Sequence, residues 1–389
     1  MRPHDLPSLT LPRYGAASLA DLLPALTGHL RGEPDTHPLL AGLPALPRRL
    51  VLLVADGLGA QQLADAPDAA PTLTAAPGTV LDAVFPTTTV ASLASIGTGR
   101  TPAAHGLAGY ALPHPDHDQP LNLLGWRIGL RAGGFDARTA VVPEALQPEP
   151  TALELAAAAG VTVTSVLDPE VLDSGLTRAA LRGGQRVAAR GIDATLDAAV
   201  QAAASGDAPT LVYAHHPVVD WAGHVHGPGA PEWRDAVADL DRAVAALDVP
   251  ADVAVLVTAD HGMVDVPDAD VDELADAPAE LLDGVRVLAG EPRVRQLALD
   301  NGVNPVTVAA RWQRHVGRRA TVLVREQAIP LLGGPLGPTA DALVGDVLVV
   351  HHVGTSVHER VDPHGGRHRG QHGGLTPDEV RVPLSVVQP

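Results

Sequence analysis

Short apolar, β-branched runs alternate with alanine-rich stretches of helical spacing along most of this chain. Continuous apolar runs of strand length suit a parallel sheet, and the stretches between them suit the helices that cover it. The clearest strands are Arg49 to Ala55, Val161 to Val166, Thr210 to Ala214 and Val253 to Thr258. The clearest helices are Ser18 to Leu30, Ala152 to Ala159, Gly191 to Ser205 and Glu232 to Leu247. Proline and glycine concentrate at His37 to Pro47, Ala111 to Pro120 and Leu331 to Thr339, which predicts three loops.

From about Asp283 to His352 the rhythm breaks. VRVLAG, VRQLALD, VTVAARWQRHV, ATVLVRE and GDVLVVHHV predict strands and one helix of a compact α+β unit. A closing strand, VRVPLSVV, follows it. The expected organisation is a core of residues 1–282 and 353–389 carrying an inserted α+β cap at 283–352.

Composition narrows the function classes. With 389 residues, 46% of them hydrophobic, the chain can bury a full core. A net charge of -18 argues against nucleic acid polymers and anionic membranes as partners, since both need clustered positive charge. Lysine is absent, and so is cysteine, which removes thiolate metal sites and disulfides. No stretch reaches the roughly 18 apolar residues of a membrane span, and the first residues lack a signal-peptide core. The expectation is a soluble, cytoplasmic protein acting on a small molecule; oligomeric state is not legible.

Candidate chemistry falls where the pattern changes. Asp56 ends the strand RLVLLVAD before Gly57 and Gly59, and Asp260 and His261 end VAVLVTADHG in the same way. Ligand sites of open α/β sheets form at that edge. The plain alternative for Asp56 is a cap on the following helix. Asp220 and His224 stand four apart in HHPVVDWAGHVHGPG, on one face if helical; His215, His216 and His226 beside them read as supporting or surface residues. VFPTTTVASLASIGTG is a helix start, where amides and the helix dipole would hold an anion beside Thr89. Its plain alternative is an N-cap threonine. With His372, these seven residues offer oxygen and imidazole donors suited to two divalent ions, zinc or a related first-row metal such as manganese.

VADGLG, FPTTT followed by TGRTPAAHG, DWAGHVHGPG, VTADHGM and QHGG occur in this order from residue 50 to about 385. In that order they resemble the alkaline phosphatase superfamily and, within it, the nucleotide pyrophosphatase/phosphodiesterase (type I phosphodiesterase) branch. The resemblance implies an α/β, doubly wound, mostly parallel sheet with helices on both faces. It implies that Asp56, Asp260 and His261, with the Thr89 hydroxyl, bind one metal, and that Asp220, His224 and His372 bind the other. Thr89 would then attack phosphorus and form a phosphothreonine that water hydrolyses, the substrate being a small phosphate ester or nucleotide-like molecule.

One position departs from the pattern. Diesterase relatives carry an asparagine three residues after the nucleophile, donating to a phosphoryl oxygen, where this chain has Ser92. Ser92, Tyr110 and Trp126 are the candidate substrate contacts, with Trp221 a further aromatic; core packing is the plain reading of each aromatic. HERVDPHGGRHRGQH, ending at His372, reads as a flap bringing Arg367 or Arg369 to substrate, or as a solvated loop. Phosphonate hydrolase is an alternative activity, opposed by the missing lysine with which those relatives grip a carboxylate. Phosphomonoesterase is another, without recognisable third-metal ligands. A non-catalytic metal-dependent binding module is opposed by the filled ligand and nucleophile positions.

Overall fold

The computed structural model describes residues 9–34, 36–129, 134–352, 354–358 and 368–388. Its centre is a seven-stranded sheet in the order Gly78–Asp82, Arg381–Val387, Ala254–Thr258, Arg49–Ala55, Thr210–His216, Thr162–Leu167, Gln185–Ala188. The last five run parallel, while Arg381–Val387 pairs antiparallel with both of its neighbours. From Leu50 to Ala55 every residue of the central strand is buried, as its unbroken apolar run requires. The α/β class and the mostly parallel sheet expected above are the ones found. The four clearest strands and four clearest helices lie within a few residues of their expected bounds.

Helix Leu19–Leu30 shows how sequence makes these elements. Leu19, Leu22, Leu23, Leu26 and Leu30 form one buried stripe. Asp21 Oδ2 accepts the Ser18 N–H at 2.9 Å, satisfying an orphan donor at the helix start. Among the described residues no helix is long and apolar enough to cross a membrane.

A separate antiparallel sheet orders Val285–Glu291, Val294–Leu299, Val347–His351 and Ala320–Val324. Helix Pro305–Val316 buries Val308, Trp312 and Val316 in an apolar cluster with Leu297, Val347 and Val349 of this sheet. The sheet is not a free appendage. Val294, Leu348 and Val350 share another buried cluster with Phe85, Ala103, Leu375 and Val380.

Two expected loops are corrected. Ala111–His114 and His117–Asn122 form a hairpin, continued by Arg127–Ile128 and Phe135–Asp136 into a four-stranded sheet. The Pro–Asp dipeptide supplied its turn and not a long loop. Leu331 to Thr339 contains a 3-10 turn, Ile329–Leu332, and the start of helix Pro338–Leu343. Leu331, Leu332 and Ala340 are buried there. Their apolar side chains outweigh the local glycines and prolines.

Candidate metal centre

Strand Arg49–Ala55 lies between Thr210–His216 and Ala254–Thr258, all three parallel, so their carboxyl ends open onto one edge. Asp56 follows the first strand directly. Asp260 and His261 follow the third, and Asp220 and His224 sit on helix Val218–His226 after the second. Gly57 makes their approach possible. Its φ is +75°, and a β-carbon there would stand 2.7 Å from the Asp220 Cα. Asp56 caps nothing, because Gly59 precedes helix Ala60–Ala64.

Thr89 is the first residue of helix Thr89–Thr98, after the cap residue Thr88, so it is not itself the cap. Its hydroxyl lies 3.3 Å from His261 Nε2. His372 arrives from a distant part of the sequence and is fastened to the same segment. Thr87 N–H donates to Gly373 O (3.2 Å), Gly373 N–H to Thr87 Oγ1 (3.0 Å) and Thr87 Oγ1 to Gly374 O (2.9 Å). All seven sequence candidates are thus brought to one edge of the sheet.

The imidazoles reveal what the site is built for. His224 Nδ1 is 2.7 Å from Gly370 O, His372 Nδ1 2.8 Å from Thr87 O and His261 Nδ1 3.1 Å from Gly262 O. A carbonyl only accepts, so in these bonds Nδ1 carries the proton, which leaves Nε2 as the atom available for a ligand. These Nε2 atoms stand close to carboxylates. His224 and His372 Nε2 are 3.2 Å apart, and Asp220 oxygens lie 3.4 Å and 3.9 Å from them respectively. His261 Nε2 is 3.4 Å from Asp260 Oδ2 and 3.6 Å from Asp56 Oδ1. Asp56 Oδ1, Asp220 Oδ1 and Asp260 Oδ2 are buried without a hydrogen-bond partner among the described residues.

Buried carboxylate oxygens crowded together repel one another, and a cation placed among them turns repulsion into ligation. Two ligands about 2.1 Å from zinc at a tetrahedral angle stand roughly 3.4 Å apart, in the range of these spacings. Two groups meet the spacing for a shared ion, Asp220 with His224 and His372, and Asp56 with Asp220 and His261. Asp220 belongs to both, and Asp260 stands beside the second group, near His261 and Asp56. Burial, then the charges of Asp260 and Asp220, push the Asp56 carboxyl well up. Burial pushes Asp220 up to about 7, and burial followed by His261 and His224 pushes His372 well down.

Other expected residues divide. Ser92 lies one turn beyond Thr89, fully buried, its hydroxyl without a partner among the described residues. Tyr110 donates its backbone N–H to Glu291 Oε2 (2.8 Å), and its hydroxyl accepts from Asn122 Nδ2 (2.7 Å). Trp126 is corrected to a core residue: it is fully buried and its indole N–H donates to Val141 O at 2.7 Å. Trp221 is 62% exposed beside Asp220. Arg369 pairs with Asp265, Nη2 to Oδ2 at 2.7 Å. Arg367 and most of the expected flap lie outside the described residues.

His215 holds a position that sequence spacing did not reveal. Its Nε2 lies 3.1 Å from Asp56 Oδ2 because strand register sets His215 opposite Val54. His216, its neighbour, is pushed down to about 4 by burial.

A mostly parallel sheet with acids and imidazoles gathered at the ends of its central strands defines an alkaline-phosphatase-like α/β fold. The chain belongs to the type I phosphodiesterase / nucleotide pyrophosphatase family, which it matches over residues 50–375. That family consists of metal-dependent phosphoester hydrolases. No curated protein matches the chain. Among solved structures, murine ectonucleotide pyrophosphatase / phosphodiesterase 5 is similar with TM-score 0.65 and 16% identity over 88% of each chain. An inactive threonine-to-alanine form of the murine protein in complex with AMP is similar to the same degree, over 87% of each chain. Phosphonoacetate hydrolase from Sinorhizobium meliloti, in complex with phosphonoformate, has TM-score 0.63 and 22% identity over 88% of this chain and 90% of that one.

Proposed function

We propose that this chain is a two-metal phosphohydrolase that cleaves small phosphodiesters or nucleotide pyrophosphates, with Thr89 as nucleophile. The observation that carries the reading is a set of buried carboxylate oxygens on Asp56, Asp220 and Asp260 without hydrogen-bond partners among the described residues, two of these acids standing at ligand spacing from imidazoles, beside a hydroxyl at a helix start. Asp56, Asp260 and His261 would hold one ion, Asp220, His224 and His372 the other, with zinc or manganese suiting the donors. When bound, two divalent cations supply neutralisation of the phosphate and acidify the threonine hydroxyl.

The protein groups do the rest. Deprotonated Thr89 Oγ1 forms the bond to phosphorus while the ester oxygen leaves in line, and water later cleaves the phosphothreonine to restore the hydroxyl. The free amides at the start of helix Thr89–Thr98 face negative charge developing on the phosphoryl oxygens. The inactivity of the murine threonine-to-alanine form bound to AMP supports both the nucleophile type and a nucleotide-like substrate. We read residues 283–352 as a cap that shapes substrate choice. The likeness to phosphonoacetate hydrolase favours a second reading, phosphonate hydrolysis, and the absence of lysine opposes it.

The test is kcat/KM for bis(p-nitrophenyl) phosphate, p-nitrophenyl phosphate and phosphonoacetate, using metal-depleted protein before and after adding zinc or manganese. Metal-dependent turnover with the diester ahead of the monoester is expected, because among the described residues no arginine is seen paired into the group of candidate ligands to meet a monoester's extra charge. Faster monoester turnover would remove the diesterase assignment, and turnover only of phosphonoacetate would establish the second reading.

A further inference from the structure

We infer that Arg293, supplied by the inserted sheet, is a positioning residue for the His372 metal site, acting through Glu379. The inference rests on the reading of His372 as a ligand. Arg293 occupies the turn between Val285–Glu291 and Val294–Leu299, and its side chain and that of Glu379 are completely buried. The two form a bidentate pair, Nε to Oε1 at 2.6 Å and Nη2 to Oε2 at 2.9 Å. Arg293 Nη1 also donates to the carbonyls of His352 (2.9 Å) and Thr355 (2.6 Å), which fixes the guanidinium from its own side.

Glu379 passes this constraint to the site. Its Oε1 accepts the Gly374 N–H at 2.8 Å, and its Oε2 accepts the Thr376 N–H at 3.2 Å and the Thr376 hydroxyl at 2.7 Å. Gly374 lies two residues after His372 and is tied to Thr87, whose carbonyl sets the His372 ring. The Glu379 carbonyl accepts from Gly262 (2.9 Å), next to His261. The pair therefore anchors the loop carrying His372 where it meets the segment leading to Thr89. Their hydrogen bonds set loop position, and the Arg293 charge is also felt at His372.

Competition titration of metal-depleted protein with zinc and a chromophoric chelator tests this. Wild type is expected to bind two ions. In Arg293→Met/Glu379→Leu, which removes both buried charges together, one site is expected to weaken by about 10- to 100-fold, the range for lost supporting contacts around a metal. The other site should change less. Arg293→Lys, which keeps the charge and loses the fork, should weaken the same site by a smaller factor. Circular dichroism identifies the folded variants, and Arg293→Lys decides the matter if the double variant is unfolded. Wild-type affinity at both sites in a folded variant, or equal weakening of both, would overturn the inference. Failure of wild type to bind zinc would instead remove the metal reading, and this inference with it.

Discussion

Each imidazole of the proposed centre is turned by the nitrogen that does not face the site. Carbonyls of Gly370, Thr87 and Gly262 hold Nδ1 of His224, His372 and His261, so three rings turn their Nε2 atoms toward the carboxylates. Thr89 stands against His261 Nε2 and carries the proposed chemistry. Thr89→Ala is expected to lower turnover by at least about 10³-fold with zinc stoichiometry unchanged, and Thr89→Ser to retain part of the rate. Equal rates for Thr89→Ala and wild type would place the nucleophile elsewhere. His215 belongs to the same scale. His215→Ala should free the Asp56 carboxylate to rotate and weaken zinc binding roughly tenfold or more, as measured by chelator competition. The seven candidates were legible because strand ends, glycine turns and a helix start are local signals. The His215–Asp56 contact was not, since it joins residues 159 apart through a strand register that no local pattern encodes. Trp126 was misassigned because an aromatic side chain shows its chemistry in the sequence but not the core that encloses it.

The helix that opens with Thr89 keeps its place by close packing. Gly97 touches helix Gly175–Ala180 so closely that a β-carbon would lie 2.1 Å from the Ala180 carbonyl oxygen. Ala180 is backbone in a helix and cannot swing aside. Gly97→Ala is therefore expected to force the helices apart and destabilise the fold by about 1 to 3 kcal/mol, read by urea unfolding. An unchanged midpoint would show that the helices yield freely. Elements with strong periodicity, such as Leu19–Leu30 and Arg49–Ala55, were legible for the same reason that they are stable: one buried stripe or one continuous buried run defines them. The hairpin of Ala111–His114 and His117–Asn122 and the buried turn at Ile329–Leu332 were hidden behind proline and glycine. Those residues mark where the chain bends, while pairing and burial across the bend depend on partners distant in sequence.

At the scale of the whole molecule, a buried carboxyl beside the four-stranded antiparallel sheet of Val285–Glu291 contributes to the response to pH. Glu291 is buried there, accepting from Tyr110 with Oε2, and burial raises its carboxyl to about 8. A carboxyl in the unfolded chain releases its proton near 4.5, so the folded chain holds a proton that the unfolded chain has lost. Stability from this group is full below that lower value and is lost as pH rises through about 8, at roughly 1.4 kcal/mol per pH unit within the window. Glu291→Gln is expected to lose less melting temperature than wild type between pH 6 and pH 9, the remaining loss coming from other raised carboxyls such as Asp220. Equal pH dependence in both would show that Glu291 ionises freely. The acidic balance of the chain fits the same picture, since a net charge of -18 leaves cations to be supplied from outside if an anionic substrate is to bind. The central claim is that two such cations sit at one edge of the sheet. Crystals grown with zinc, measured across the zinc absorption edge, test it most directly. The account expects two anomalous peaks roughly 3.5 to 4 Å apart, one against His224 and His372 and one against His261 beside Thr89. A single peak remote from Asp56 and Asp220, or none at full zinc occupancy in solution, would contradict it.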